Sequence, residues 1–540
     1  MRKLLWLALL VPGIALAAGQ GDANAQLFAA LKAQDPETAL YALKQGADAK
    51  AREADGTTPL HYAAHFADVR LVQALLKAKA DPNARNDFGA MPLAEAATTG
   101  SAEVIQLLLK AGADVESPNP EGQTALMVVA RAGKVDAAKL LLKAGAKVNT
   151  REQWGGQSAL MWAAAQSQPE MIKVLIKAGA DVSARGTIRE WQRRVTSEPR
   201  PKGMNRGGFT PLLYAAREGC IACARELLAA GADINRADPD QSTPLVVALM
   251  NLHFDFASFL IKAGADVDRW DLYGQTPLYV AIDMNTLPKG GRPDLPSEDF
   301  TTGLQVAEQL LAAGANPNIQ LKLRPPYRNY IFDRGGDQVL STGATPLLRA
   351  AKGGDVEAVR LLLKYKANVS LANDAGATPL MVAAGSGHGA NPTRGRYKTD
   401  AQAAECAKLL IEAGADVNEA AARTRATALH AAAQHGWNET IRLLAAKGAD
   451  LEFADSTGLR AIDHAAGRTA RGFLEPEAGP QKESVKVLRD LIFAKTGREP
   501  QEFKGTVPSQ NRGTAGAGAG PGAGAAGPGA GAGAGQAPAR

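Results

Sequence analysis

Residues 87–118 read DFGAMPLAEAATTGSAEVIQLLLKAGADVESP, and the punctuation of that stretch marks out two short helices. A turn leads into a short helix from Met91, which breaks at Gly100. A longer helix runs on to Lys110 and stops at Gly112, where a left-handed residue can close it. Ile105, Leu108 and Leu109 give the second helix an apolar stripe at helical spacing. The helix entry is plainer in Thr58-Pro59-Leu60: Thr caps an N-terminus, and Pro suits the first helical position, where an N–H would be unpaired anyway. A helix pair this small has one face to bury and needs a neighbour on each side.

The neighbours are present. The Leu that follows the TP, TA, MP or SA pair recurs at Leu60, Leu93, Leu126, Leu160, Leu212, Leu245, Leu278, Leu347, Leu380 and Leu429, with Ile462 in the same slot. Seven of the ten steps are 33 or 34 residues, and the other three are longer by 19, 36 and 16. Thr58-Pro59-Leu60-His61 with Ala63-Ala64, and Thr427-Ala428-Leu429-His430 with Ala432-Ala433, carry the fullest version of the pattern. A 33-residue period with T-P-L-H, then A-A, then L-L-x-x-G-A-D, resembles the ankyrin repeat. The resemblance covers roughly residues 26–497. It implies an all-α solenoid of helix-turn-helix units with short β-hairpin fingers, about eleven repeats plus caps.

Composition agrees with a thin layered core. Hydrophobic residues make up 46% of the 540 and aromatics only 5%, which suits Leu, Val and Ala stacked in shallow layers. One repeat cannot offset its own ordering entropy, about 1–2 kcal/mol per residue, with a few aliphatic side chains worth about 1.5–3 kcal/mol each. Stacking supplies the remainder. The net charge of +6 is mild and gives no reason to expect specific nucleic-acid binding.

At the N-terminus Arg2-Lys3 precede an apolar run from Leu4 to Leu16 and then small residues, the form of a secretory signal peptide over 1–25 with cleavage after Ala17 or Ala25. That run is too short to span a bilayer and nothing later is long enough, so the expected product is exported, periplasmic or secreted, with no transmembrane segment. Residues 26–54 resemble a worn capping repeat, with Leu27, Leu31, Leu40 and Leu43 apolar but no T-P-L entry. Repeats are expected over 55–454, interrupted at 186–206, 285–302, 321–341 and 388–401. A C-terminal cap over 455–497 keeps the register through Ile462, and the Gly, Ala and Pro of 498–540 cannot bury a core and should form a disordered tail.

No nucleophile elbow, phosphate-cradling Gly loop or HExxH is present, and the histidines form no ligand pattern, so no catalytic, cofactor or metal site is expected. In ankyrin-like folds the T-P-L-H histidine, here His61 and His430, ties adjacent loops together. Cys220-Ile221-Ala222-Cys223 opens a second helix, where a thiol pKa can fall. The pair reads as a local disulfide or two packed thiols, with a redox or other enzymatic role as the alternative.

The family resemblance implies a recognition surface on the finger tips and on the exposed side of each first helix. At those slots stand Phe88, Trp154, Phe209, Trp270 and Tyr273 on fingers, and Arg131, Arg217, Met250 and Met284 on first helices. These are residue types that dominate binding hot spots. Trp191 lies in the first insert among Arg189, Arg193 and Arg194, and a second basic run spans Arg394 to Lys398. The expected function is therefore a monomeric, non-catalytic scaffold for another protein with an acidic surface. Binding of an anionic polymer or surface through the basic inserts is the remaining alternative.

Overall fold

The computed structural model of the chain describes residues 20–190, 206–285, 299–323, 339–387, 398–468 and 480–501. The first five pairs of helices are α1 (Gln20–Lys32) and α2 (Pro36–Lys44), α3 (Pro59–His65) and α4 (Val69–Lys77), α5 (Pro92–Thr99) and α6 (Ala102–Lys110), α7 (Ala125–Arg131) and α8 (Val135–Lys143), and α9 (Ala159–Ala165) and α10 (Pro169–Lys177). Next come α11 (Pro211–Glu218) and α12 (Ile221–Ala229), α13 (Pro244–Met250) and α14 (Phe254–Lys262), and α15 (Pro277–Asn285) and α16 (Gly303–Ala312). The last four pairs are α17 (Pro346–Gly353) and α18 (Val356–Lys364), α19 (Pro379–Ala383) and α20 (Asp400–Glu412), α21 (Ala428–His435) and α22 (Asn438–Ala446), and α23 (Ala461–Ala465) and α24 (Lys482–Thr496). Each helix packs on its partner, and equivalent helices of successive pairs pack on one another except at the looser α12–α14 step, so first helices form one layer and second helices another.

Local chemistry sets each pair. Thr210, Thr243, Thr345 and Thr378 cap first helices through their hydroxyls, with Pro directly after. Where His follows, as in Thr58-Pro59-Leu60-His61, the cap is reciprocal: the Thr58 N–H donates to His61 Nδ1 at 3.2 Å. The other ring nitrogen, Nε2, reaches the Ala90 carbonyl of the next repeat at 3.1 Å. His430 repeats the arrangement with Thr427 and Leu459. Gly100 closes α5 at φ 69°, and a Cβ there would lie 2.2 Å from the Lys134 side chain, so both conformation and space require glycine.

One apolar spine runs the length of the array, from Ala23 and Leu27 through Leu108, Leu175, Leu260 and Leu362 to Leu488 and Ile492. It passes both long inserts without a break, because α9 packs on α11 and α15 on α17. A ladder along the edge reinforces the stacking. Asn83 Oδ1 accepts the Asp114 N–H at 2.7 Å, and Asn149, Asn235, Asp268, Asn318 and Asn418 make the corresponding bond to the next repeat. Ser183 and Ser370 stand in this slot and make no such bond among the described residues, since their side chains are too short.

Three expectations need correction. The N-terminal pair begins at Gln20, before the expected residue 26, with Ala23 in the core and Asn24 Oδ1 accepting the Asp48 N–H at 2.7 Å. The fingers are turns, not hairpins: among the described residues only two isolated bridges occur, Ile188 with Gly207 and Ala454 with Arg460. Adjacent fingers are joined by single backbone bonds such as Asp87 N–H to Asp55 O and Gln153 N–H to Glu121 O. The insert entered at Leu321 also returns onto the array. Leu321, Val339 and Leu340 are buried in a second apolar cluster with Tyr279, Leu348 and Val382.

Candidate partner-binding face

The first helices turn two slots outward, the second residue after the Leu of each entry and the fifth. In the first half of the array the fifth-residue slots are exposed at His65, Thr98, Arg131, Arg217 and Met250, whereas Ala165 is buried. The second-residue slots run from half-buried Tyr62 and Trp162 to buried Tyr214 and Val247. Tyr62 is half-buried against Phe28 and Phe66, and Phe66 is exposed. Arg131 on α7 lies over the Trp162 ring of α9, 5.5 Å from its centroid, and Arg217 lies 5.0 Å over Tyr214 within α11. Both guanidinium groups are exposed, and Met250 on α13 continues the row. The Trp162 indole N–H is buried with no acceptor among the described residues. Tyr62, Trp162 and Tyr214 are absent from the expected set; their shared slot, two residues after the repeated Leu, is the sequence signal that finds them.

On α15 and α17 the same slots, Val280, Asp283, Arg349 and Lys352, are closed. Met284, expected on the open face, is 4% exposed. Asp283 and Arg349 are fully buried and paired, the Arg349 Nε donating to the Asp283 carboxylate. Lys352 is also buried and donates to the Gly387 carbonyl. Val339 and Leu340 of the returning insert are buried in the cluster with Tyr279 and Leu348 of the same two first helices, so the chain covers part of its own surface here, and charges are sunk where the repeat pattern leaves solvent.

The finger residues divide likewise. Phe88 is 69% exposed and Trp154 75%. Trp154 and Trp270 each carry a cation from an insert, Arg189 at 4.8 Å and Lys322 at 3.8 Å from the ring centroids. Phe209 and Tyr273 are half-buried rather than free, Phe209 packing edge-on against Tyr214 at 5.4 Å. Trp191, Arg193, Arg194, Arg394 and Arg396 lie outside the described residues.

The basic inserts are also less available than expected. Arg189 donates to the Trp154 carbonyl at 2.7 Å, and Arg206 donates to the Pro239 carbonyl and approaches Asp240. Lys398 is buried, donating to the carbonyls of Ala351, Val382 and Ala383. It caps two helix ends instead of meeting an anion.

Cys220 and Cys223 are bonded to each other. Cys220 is the N-cap of α12, and Cys223 is fully buried in the spine, as is the free Cys406. No group of three potential metal ligands occurs among the described residues. A depression of about 380 Å³ beside α16 is lined by Phe300, Thr301, Gln305, Glu308, Gln309 and Ala312, which offer one carboxylate and no partner for acid–base work. No described helix is long and apolar enough to cross a membrane.

Among known families, ankyrin repeats (3 copies) match residues 27–119, 112–186, 212–289, 301–391 and 399–484, and a single ankyrin repeat matches 375–422. The chain is 32% identical over 123 residues to ankyrin repeat and SOCS box protein 16 of Homo sapiens, covering 23% of this chain and 24% of that protein. It is 30% identical over 162 residues to ankyrin repeat and KH domain-containing protein mask-1 of Caenorhabditis elegans, covering 29% and 6%. Over 194 residues it is 31% identical to the transient receptor potential cation channel subfamily A member 1 homolog of the same organism, covering 32% and 16%. The chain thus spans a quarter or less of these relatives, and the stretches shared are repeats.

Proposed function

We propose, since the chain belongs to the ankyrin-repeat family, that it is a scaffold which binds another protein along the first-helix face from α3 to α13. Ankyrin-repeat proteins are typically non-enzymatic interaction modules, and two of the matched relatives carry ankyrin repeats by name. The observation that carries the reading is the break in the face. Exposed Arg131, over half-buried Trp162, exposed Arg217, over buried Tyr214, and Met250 present two guanidinium groups backed by aromatic rings and a flexible thioether up to α13, whereas Met284, Asp283, Arg349 and Lys352 are buried beyond it. Exposed Arg and aromatic side chains lose little entropy on docking and offer large contact area. A partner carbonyl that lifts Arg131 from the ring would also satisfy the Trp162 indole N–H, whose isolation costs free energy in the unbound protein.

Site-specific photo-crosslinkers at Arg131, Arg217 and Met250, compared with one at Lys177 on the second-helix layer, test the face. One discrete adduct from the first three and none from the last is expected. Equal labelling from all four, or from Lys177 alone, would put the contact elsewhere. For the site of action we favour the cell envelope or exterior, supported by the charged and apolar N-terminal segment. Cleavage after Ala17 fits better than after Ala25, because the latter would cut α1 and remove Ala23 from the core and the Asn24 bond to Asp48. Mass spectrometry of the exported protein should find Ala18 as its first residue; a chain starting at Gln26 would overturn this choice.

A further inference from the structure

We infer that Cys220–Cys223 is a redox-active disulfide that oxidises thiols of another protein, with Cys220 as the exchanging sulfur. The argument starts from the slot. At the head of other second helices an oxygen accepts the N–H three residues on: Asp35 from Thr38 at 3.1 Å, Asp68 from Leu71 at 2.9 Å, Ser101 from Val104 at 3.4 Å and Asp355 from Ala358 at 3.2 Å. Here Cys220 Sγ takes that bond, from the Cys223 N–H at 3.2 Å. The slot holds Asp35, Asp68 or Asp355 in some repeats and Lys134, Gln168, His253 or Trp437, with no side-chain cap bond, in others. At α12 the cap bond is kept, so an N–H and the positive end of the helix are directed at Cys220 Sγ. Reduction would therefore leave a stabilised thiolate, a good leaving group in the exchange.

The bridge does little for the fold. It closes one helical turn, and the removal of unfolded-state entropy by a crosslink shrinks with the loop it closes. The copies with Asp68/Leu71 and Asp355/Ala358 hold the same turn without it. Exposure is one-sided as well: Cys223 is 0% exposed, whereas Cys220 is partly open at the turn that follows α11. The residue before it, Gly219, faces an imidazole. The His253 ring lies across Gly219, where Lys134 and Gln168 lie across Gly100 and Gly133 in other repeats. Its Nε2 is 2.9 Å from the Arg217 carbonyl, so the neutral ring donates from Nε2 and keeps Nδ1 free as a proton acceptor on the Gly219 side. The other charges at this end of α12 are Arg217 and Glu218, paired at 2.7 Å; Lys173 of α10 meets α12 further along, at Glu226.

The reaction balances without another reagent. A substrate thiol gives its proton to His253 or solvent and its thiolate attacks Cys220 Sγ, forming a mixed disulfide and expelling Cys223, which takes up a proton. A second substrate thiolate attacks the substrate sulfur of the mixed disulfide and expels Cys220 as thiolate. The substrate dithiol loses two electrons and two protons to become a disulfide, and the Cys220–Cys223 bond accepts both electrons.

Iodoacetamide labelling of the full-length Cys223→Ser variant, reduced, at a series of pH values tests the first half of this. Labelling at pH 7 should be about tenfold faster in the native protein than in urea, with an inflection well below the ordinary Cys value of about 8.5. Equal or slower labelling, with an inflection at or above that value, would overturn the inference. A synthetic peptide with two thiols tests the second half. The wild type should convert it to the disulfide at a rate slowed by His253→Gln, with one peptide disulfide formed per Cys220–Cys223 bond reduced, and Cys220→Ser should leave it reduced. A wild type that leaves the peptide reduced is a structural staple only. Lys143→Ala, on the second-helix layer two repeats away, should leave both measurements unchanged, and crosslinking from Arg131 involves neither cysteine, so the two readings fail separately.

Discussion

Buried ionisable groups in the repeat loops set the response to pH, and two kinds act in opposite directions. His430 accepts the Thr427 N–H at Nδ1 and reaches the Leu459 carbonyl from Nε2, a neutral arrangement. Burial, followed by the charge of His464, pushes it down to about 4, and burial does the same to His435. A lowered histidine contributes stability that is complete above its unfolded value of about 6.5 and is lost as pH falls toward 4. Asp271 runs the other way. Burial pushes it up to about 6, although Oδ1 accepts the N–H groups of Tyr273 and Gln275. Its contribution is complete below about 4 and is lost as pH rises through 6. Asp271→Asn keeps an oxygen for both donors and loses the buried charge. Denaturant titrations should show it about 1–2 kcal/mol more stable than wild type at pH 8 and no more stable at pH 4. A variant weaker at pH 8 would mean that the charge itself holds the finger.

Between elements, coupling follows the edge ladder. The spine is continuous, but the bond that links each repeat to the next is missing where Ser183 faces the repeat containing Asp233. Ser183→Asn should restore the rung and raise stability by about 1 kcal/mol, with hydrogen exchange slowed in α10 and α12. No change in exchange across that junction would show that the insert at 186–206 holds the repeats too far apart for the bond. Lys398 shows the opposite case, one side chain serving three carbonyls at the ends of α17 and α19, with the Trp437 ring 5.1 Å from its ammonium. Lys398→Ala leaves those acceptors without their donor and should cost about 2–4 kcal/mol. Urea midpoints within error of wild type would refute that role.

At the scale of the molecule the array behaves as a row of nearest neighbours, so its ends matter as much as its middle. The final pair covers the spine with Ile462, Leu488 and Ile492, and α24 packs on α22. Truncation before residue 455 should bare Ile441 and Leu444, lower the melting temperature and increase binding of an apolar dye, while α3 to α18 keep their exchange protection. Loss of protection throughout would show a single cooperative unit instead. The same architecture limits where a partner docks. Exposed Arg131, Arg217 and Met250 line the first helices up to α13 and buried Asp283, Arg349 and Lys352 those of α15 and α17, so the proposed docking face ends at α13.

The repeat itself was legible in the linear chain. Thr-Pro entries, Gly exits and the 33-residue recurrence of Leu act over a few residues, and local caps and helical spacing need no tertiary information to be read. The stacking followed, because a lone helix pair has no other way to bury its stripe. What the sequence could not reveal was which outward slots stay outward. Met284 and Met250 occupy neighbouring positions in equivalent helices, and Lys398 sits in a run that reads as a solvated basic loop. Only the three-dimensional structure decides that Met284 and Lys398 are buried and Met250 is not. Burial by a distant segment is a non-local contact, and no spacing within 33 residues encodes it.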